Sequence, residues 1–252
     1  MTDPVTDPVT DPVTGPVTGP ATGPVTGPAT GPATGPVPAI VWRRSTRARR
    51  ISLRFDVRSG GLVLTLPPRA TKAAGQALLR DSANWIAARA AALPASVVLA
   101  DGAWVPVHGV RRQIVQARGL TRLDGDTLYV GGEPACLTRR VTDWLRAEAA
   151  RTFAPMAHAR AAQVGRDVTR VVLRDTRTRW GSCTGAGVLM FSWRLVMAPP
   201  WVQEYVVAHE VAHRVHMHHG PAFWALLDGL CADRAAAEAW LAGEGVGLLR
   251  VG

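Results

Sequence analysis

"HEVAHRVHMHHG" occupies residues 209–220 and holds five of the chain's seven histidines. Histidine is a poor helix former, so this crowding needs a chemical reason. His209 and His213 are four residues apart. On an α-helix they stand roughly 40° apart on one face, one turn separated. Imidazole nitrogens so placed can reach one ion at about 2.0–2.1 Å each. Glu210 follows His209 and projects to the side of that ion, where it can hold a water without taking a coordination position. The pattern H-E-x-x-H therefore reads as a hydrolytic zinc site.

The flanks add context. Pro199-Pro200 opens a helix, since proline is tolerated in the first turn. Val202, Tyr205 and Val206 then fall on the side of His209, so an apolar face would hold the histidines rigidly. A catalytic zinc needs a third protein ligand and an open position. His216 lies further along the same face, but a straight helix puts it about 10 Å from His209. The third ligand must therefore come from chain that has left the helix and folded back. Gly220-Pro221 marks that departure. His218 or His219 is favoured, and His219 is preferred. Phe223 and Trp224 are expected to pack the next helix against the first. His108 and His158 stand alone in bland contexts.

Working outward, Ile51, Leu53, Phe55 and Val57 alternate with polar residues, Ser59-Gly60-Gly61 turns the chain, and "LVLTL" (62–66) follows. These predict a β-hairpin. Residues 71–92 read as one helix that stops before Pro94. "AWVPVHGV" (103–110), "RRQIVQAR" (111–118) and "DTLYV" (126–130) read as short strands. A long helix is expected over 136–164, interrupted at Pro155. "VTRVVLRDTRTRWGSC" (168–183) reads as a strand, paired through "TGAG" (184–187) with "VLMFSWRLVMA" (188–198). "DRAAAEAWLAGEG" (233–245) closes with a short helix.

"RWGSC" (179–183) and "SWRLVMAPPWVQEYVVAHEVAHRVHMHHGPAFW" (192–224) together resemble the YgjP-like zinc metallopeptidases, small relatives of the SprT-like and Wss-type proteases in the zincin class. The resemblance is strong over 168–243, and the arginine-rich hairpin and "ANWI" (83–86) are similar too. It implies a minimal zincin-like domain, Zn²⁺ as cofactor and a protein or peptide substrate. It also implies a third ligand ten positions after the first, which falls on His219. The family usually carries Asn at the preceding position, where this chain has His218, so an exchange of ligands is conceivable. Metzincins share the spacing but require glycine where this chain has His216. Arg179 is the candidate contact for substrate or oxyanion. On the structural reading of the same motif, Trp180 fills core, Gly181 permits a bulge and Cys183 packs as a small hydrophobe.

The chain has 252 residues, of which 47% are hydrophobic, and a net charge of +10. The first forty residues hold three acids and no base. Lys72 is the only lysine, an arginine bias of the kind GC-rich genomes impose. The basic balance favours anionic partners weakly, and the cluster Arg43, Arg44, Arg47, Arg49 and Arg50 marks the N-terminal region as a possible contact for nucleic acid. Cys136, Cys183 and Cys231 define neither a disulfide framework nor a CxxC zinc pattern. With no membrane-length apolar run and no signal peptide, a soluble cytoplasmic protein is expected. Residues 2–37 repeat Thr-(Asp/Gly)-Pro-(Val/Ala) nine times, and proline at every fourth position forbids helix and sheet ladders.

The expected organisation is α+β. A disordered tail (1–38) precedes a β-rich region with one helix (39–135). A zincin-like domain (136–252) follows, its active-site helix packed on a small antiparallel sheet. The expected activity is peptide hydrolysis by a metal-activated water with Glu210 as base. The alternative is a nucleic-acid-associated binding module with a structural or inactive zinc site.

Overall fold

The computed structural model describes residues 38–252, and the tetrapeptide repeat lies outside them. The described chain is mixed α+β, with seven α-helices and three small sheets. It divides into two compact units, one ending at Pro94 and the other running from Ala95 to Gly252. No described helix is long and apolar enough to cross a membrane.

In the first unit, β1 (Ile40–Arg44), β2 (Ser52–Asp56) and β3 (Gly61–Leu66) form a sheet in the order β1-β3-β2. The β2–β3 hairpin is antiparallel as expected, and β1 adds in parallel to the other side of β3. Two helices occupy 71–92 rather than one: α1 (Lys72–Asp81) and α2 (Ala83–Ala91). Ser82, at ψ 6°, breaks the helical path between them. Thr71 caps α1 by accepting a hydrogen bond from the Ala74 amide at 3.1 Å. Gly75 lets α1 approach closely, because a Cβ there would meet Leu64 at 2.6 Å and Trp42 at 2.7 Å.

The second unit is closed by its own ends, where Val97 and Val251 form a parallel bridge. β4 (Trp104–Val107), β5 (Val110–Ala117), β6 (Arg122–Asp124) and β7 (Thr127–Gly131) make a sheet in the order β4-β5-β7-β6. The sequence places the domain boundary at 135/136, yet these strands lie with the histidine helix. The β4–β5 turn explains why: the amides of His108 and Gly109 donate to the carbonyls of Val196 and Met197 at 2.8 and 3.1 Å. Gly109 has φ +77° and sits on Pro199, where a Cβ would come within 2.9 Å of backbone. His108 itself links two helices, with Nε2 3.0 Å from Glu148 and Nδ1 3.2 Å from Gln203.

α3 (Leu137–Gln163) runs through Pro155 without interruption. Its buried row Leu137, Val141, Leu145, Ala149, Phe153, Ala157 and Ala161 recurs every four residues and holds the helix to the core. Pro155 is on the exposed side, so the hydrogen bond it cannot donate is lost toward solvent.

Residues 168–183 are two strands rather than one, β8 (Arg170–Arg174) and β9 (Gly181–Cys183). β10 (Val188–Ser192) pairs antiparallel with β9, as the hairpin reading requires, and parallel with β8. The sheet beside the histidine helix is therefore mixed, not antiparallel throughout. The strand expected over 188–198 ends at Ser192, and Trp193–Met197 form a 3-10 turn. That turn holds Arg194, 2% exposed, which pairs with Asp175 at 3.0 Å and donates to the carbonyls of Leu248 and Val251. α4 (Pro200–Ala212), α5 (Pro221–Leu230), α6 (Arg234–Ala242) and α7 (Gly245–Leu248) complete the unit.

Arg194→Leu removes a charge that ties the C-terminal residues Leu248 and Val251, and Asp175, to the approach of α4. We expect it to lower unfolding free energy by at least about 2 kcal/mol, measured by urea denaturation.

Candidate metal centre

α4 is buried almost all round. Val202, Gln203 and every residue from Tyr205 through Ala212 are buried. The sequence reading of a single apolar face is thus too narrow, since α3, α5, α6 and β9 all pack on this helix. His209 is 2% exposed, Glu210 1% and His213 4%. Tyr205, a turn before His209, donates its hydroxyl to Glu238 at 3.0 Å, which ties it to α6.

His213 caps the helix, and the chain turns away after it. Arg214 anchors that departure by donating to the carbonyls of Asp167 and Gly185 at 3.1 and 3.0 Å. The loop returns at His219 and enters α5 at Gly220-Pro221. Trp224 fixes the return, donating its indole N–H to the His219 carbonyl at 3.0 Å while its ring stacks on the imidazole. Phe223 is fully buried and touches all three imidazoles, with ring centroids 4.6–5.0 Å away.

One ring nitrogen from each of His209, His213 and His219 lies within 4.8 Å of the others, a group able to hold one metal ion. The Nε2 atoms of His209 and His219 are 3.1 Å apart. Ligand atoms around one tetrahedral zinc, each about 2.0–2.1 Å from it, stand about 3.3 Å apart, so the His209–His219 pair is close to that spacing. His213 Nδ1 is 3.1 Å from the His216 carbonyl. A carbonyl only accepts, so Nδ1 carries the hydrogen and Nε2 keeps its lone pair for a ligand. His216 thus contributes through its backbone. His218 is exposed and outside the group.

Electrostatics suit a metal. Burial, then the charges of His213 and His219, hold His209 well below the usual imidazole range. Burial lowers His213 to about 4, against the opposing bond to His216. His209 and His213 are therefore neutral donors at pH 7, the form that binds metal. Burial pushes the Glu210 carboxyl up to about 8, even against the opposing charge of Arg179. Neither carboxylate oxygen of Glu210, nor His209 Nδ1, has a hydrogen-bond partner among the described residues. Buried polar groups are almost always satisfied, so such orphans point to function.

The role of "RWGSC" becomes concrete at Gly181. A Cβ there would meet Glu210 Oε1 at 2.3 Å and its Cδ at 2.7 Å. Glycine is thus what leaves room for the carboxylate, a role that the bulge reading of Gly181 missed. Cys183 packs, as its structural reading has it, at 3% exposure. Burial, then the charge of Glu210, pushes its thiol up to about 12. Trp180 is 5% exposed and fills core. Arg179 is exposed, and its charge reaches Glu210.

Gly181→Ala should cost about 1–3 kcal/mol of stability through overpacking against Glu210. In a Glu210→Ala background, where the obstruction is gone, the same substitution should cost less than about 0.5 kcal/mol. Urea melts of the four proteins measure the cycle, and equal penalties in both backgrounds would contradict the contact.

A family model, the YgjP-like metallopeptidase domain, matches residues 51–244. No curated protein and no solved structure matches. The match takes in the first hairpin, the strand that presses on Glu210 and the helix that carries His209 and His213, and on it the chain belongs to the YgjP-like metallopeptidase family.

Proposed function

We propose that this chain is a zinc-dependent peptidase, with the metal held by His209, His213 and His219 and the proton carried by Glu210. What supports the reading most is the meeting of three ring nitrogens beside a buried carboxyl group with no hydrogen-bond partner among the described residues. An all-imidazole donor set of this kind suits zinc among the common divalent ions. Zinc held there supplies a Lewis acid that acidifies water and polarises a carbonyl. The charge of a bound metal would draw the Glu210 carboxyl below its metal-free value of about 8 and hold it ionised. Glu210 then accepts the proton of the attacking water and returns it to the departing amine. Its dry setting keeps its basicity high and aims it without competing hydrogen bonds.

β9 supports substrate binding. In its sheet, β8-β10-β9, it is an edge strand, with a strand partner on one side only among the described residues. An extended peptide can add along such an edge. Arg179, two residues before β9 and exposed, is the candidate to meet a substrate carboxylate or the carbonyl oxygen as it gains charge.

Two measurements test this reading. Glu210→Gln should retain close to one zinc per chain and lose cleavage of an unfolded, dye-labelled protein by about 10²-fold or more. Retained cleavage by that variant contradicts Glu210 as the proton carrier. Ala at His209, His213 or His219 should lose the metal itself, as read by elemental analysis of the purified protein. Substitution of His218 should leave metal content unchanged.

A further inference from the structure

We propose that the open sheet face of residues 38–94 binds a nucleic-acid duplex along its phosphate backbone. The inference stands apart from the metal centre, which is built wholly from residues of the other unit.

The first support is how charge divides along the chain. Residues 38–94 carry eleven basic and two acidic side chains, a net +9. Residues 95–252 carry eighteen and fourteen, a net +4 over nearly three times the length. A coding bias toward arginine acts on both units alike and cannot produce this contrast. The shortage of acids is the more telling part, because an ordinary solvated surface mixes both signs. Of the two acids, Asp56 is buried and Asp81 ends α1.

The second support is where the arginines stand. Register aligns Val41 with Val63 and Arg54, and Arg43 with Thr65 and Ser52. These six residues share one face of the sheet. α1 packs on the other face, against Trp42, Leu64 and Leu66. The 45–51 connection runs from the end of β1 to the start of β2, both at the Leu66 end of β3. It therefore brings Arg47, Arg49 and Arg50 to the same end as Arg43. All of these arginines and Arg54 are exposed, and none makes an ion pair among the described residues. Arg44 instead donates to the carbonyls of Pro67, Pro68 and Ala70 and holds the end of the sheet in shape.

The chemistry of this face selects the partner. Guanidinium groups interspersed with the Ser52 and Thr65 hydroxyls match phosphate oxygens. Single strands are usually gripped by stacking their bases on aromatics. Here Trp42 and Phe55 align with the helix-covered side, so a duplex backbone fits better. A membrane surface would call for bulky apolar residues beside the charge, and this face offers only Val41 and Val63.

The test uses the full chain and short fluorescein-labelled DNA and RNA duplexes, read by anisotropy across about 50–200 mM salt. Log affinity should fall linearly with log salt. Reversal of Arg43, Arg50 and Arg54 together to Glu should weaken binding by more than about 100-fold and flatten the salt plot. The same three positions changed to Lys should keep most of the affinity, and matching melting curves will verify that both variants fold. Reversal of the exposed Arg118, Arg166 and Arg170 in the other unit changes net charge equally and should cost less than about three-fold. Undetectable duplex binding at low salt overturns the proposal. So does an equal loss in the control variant, or binding to phosphatidylserine vesicles without binding to duplex.

Discussion

The site depends on a helix that carries ionisable groups through the driest part of its unit. Burying a carboxylate without hydrogen bonds costs several kcal/mol, and imidazoles held unprotonated in apolar surroundings add to that cost. Such a helix persists only if its surroundings supply the missing stability. α3 does much of this with a buried row along its whole 27-residue length, and α5, α6 and β9 close the other sides of α4. The result is a rigid backbone with reactive side chains fixed in one orientation, as a metal site needs. Stability is drawn from the core, and the chemistry sits where that core is least satisfied.

Rigidity alone does not bring a third imidazole within reach of the first two. The chain must leave the helix within one turn after His213 and come back. Arg214 ties the departure to two carbonyls on distant segments, while Trp224 holds the return by its indole N–H and its stacked ring. Phe223 packs against all three imidazoles. The side chains that shape this loop thus flank the three imidazoles in sequence without being among them. Gly181 acts by what it lacks, leaving the volume that the Glu210 carboxylate occupies.

Much of this was legible in the sequence because periodicity and reach are local properties. The four-residue spacing of His209 and His213, and the impossibility of His216 sharing their ion along a straight helix, follow from helix geometry alone. The hairpin at 51–66 shows in strict alternation, and the α+β class follows from the mixture of patterns. Long-range pairing was less legible. The parallel partnerships of β1 with β3 and β8 with β10 join strands whose sequences carry no mark of their neighbours. Pro155 looked like a break because its consequence depends on which side of α3 faces solvent. The Gly181 role needed coordinates, since nothing in "RWGSC" states that a carboxylate from another element lies against it. Arginine clustering near residues 43–50 was visible early. The shortage of acids beside it is a property of the sequence too, but that the cluster gathers at one end of a sheet follows only from the strand register.

The central claim is that His209, His213 and His219 share one zinc ion, which X-ray absorption at the zinc edge of the purified full-length protein tests most directly. The account predicts a first shell of nitrogen and oxygen only, at about 2.0–2.1 Å, with the outer-shell signature of three imidazoles. It predicts that this signature falls to two imidazoles, or that the metal is lost, in His219→Ala. A sulfur scatterer at about 2.3 Å, or a spectrum unchanged by that substitution, would contradict it.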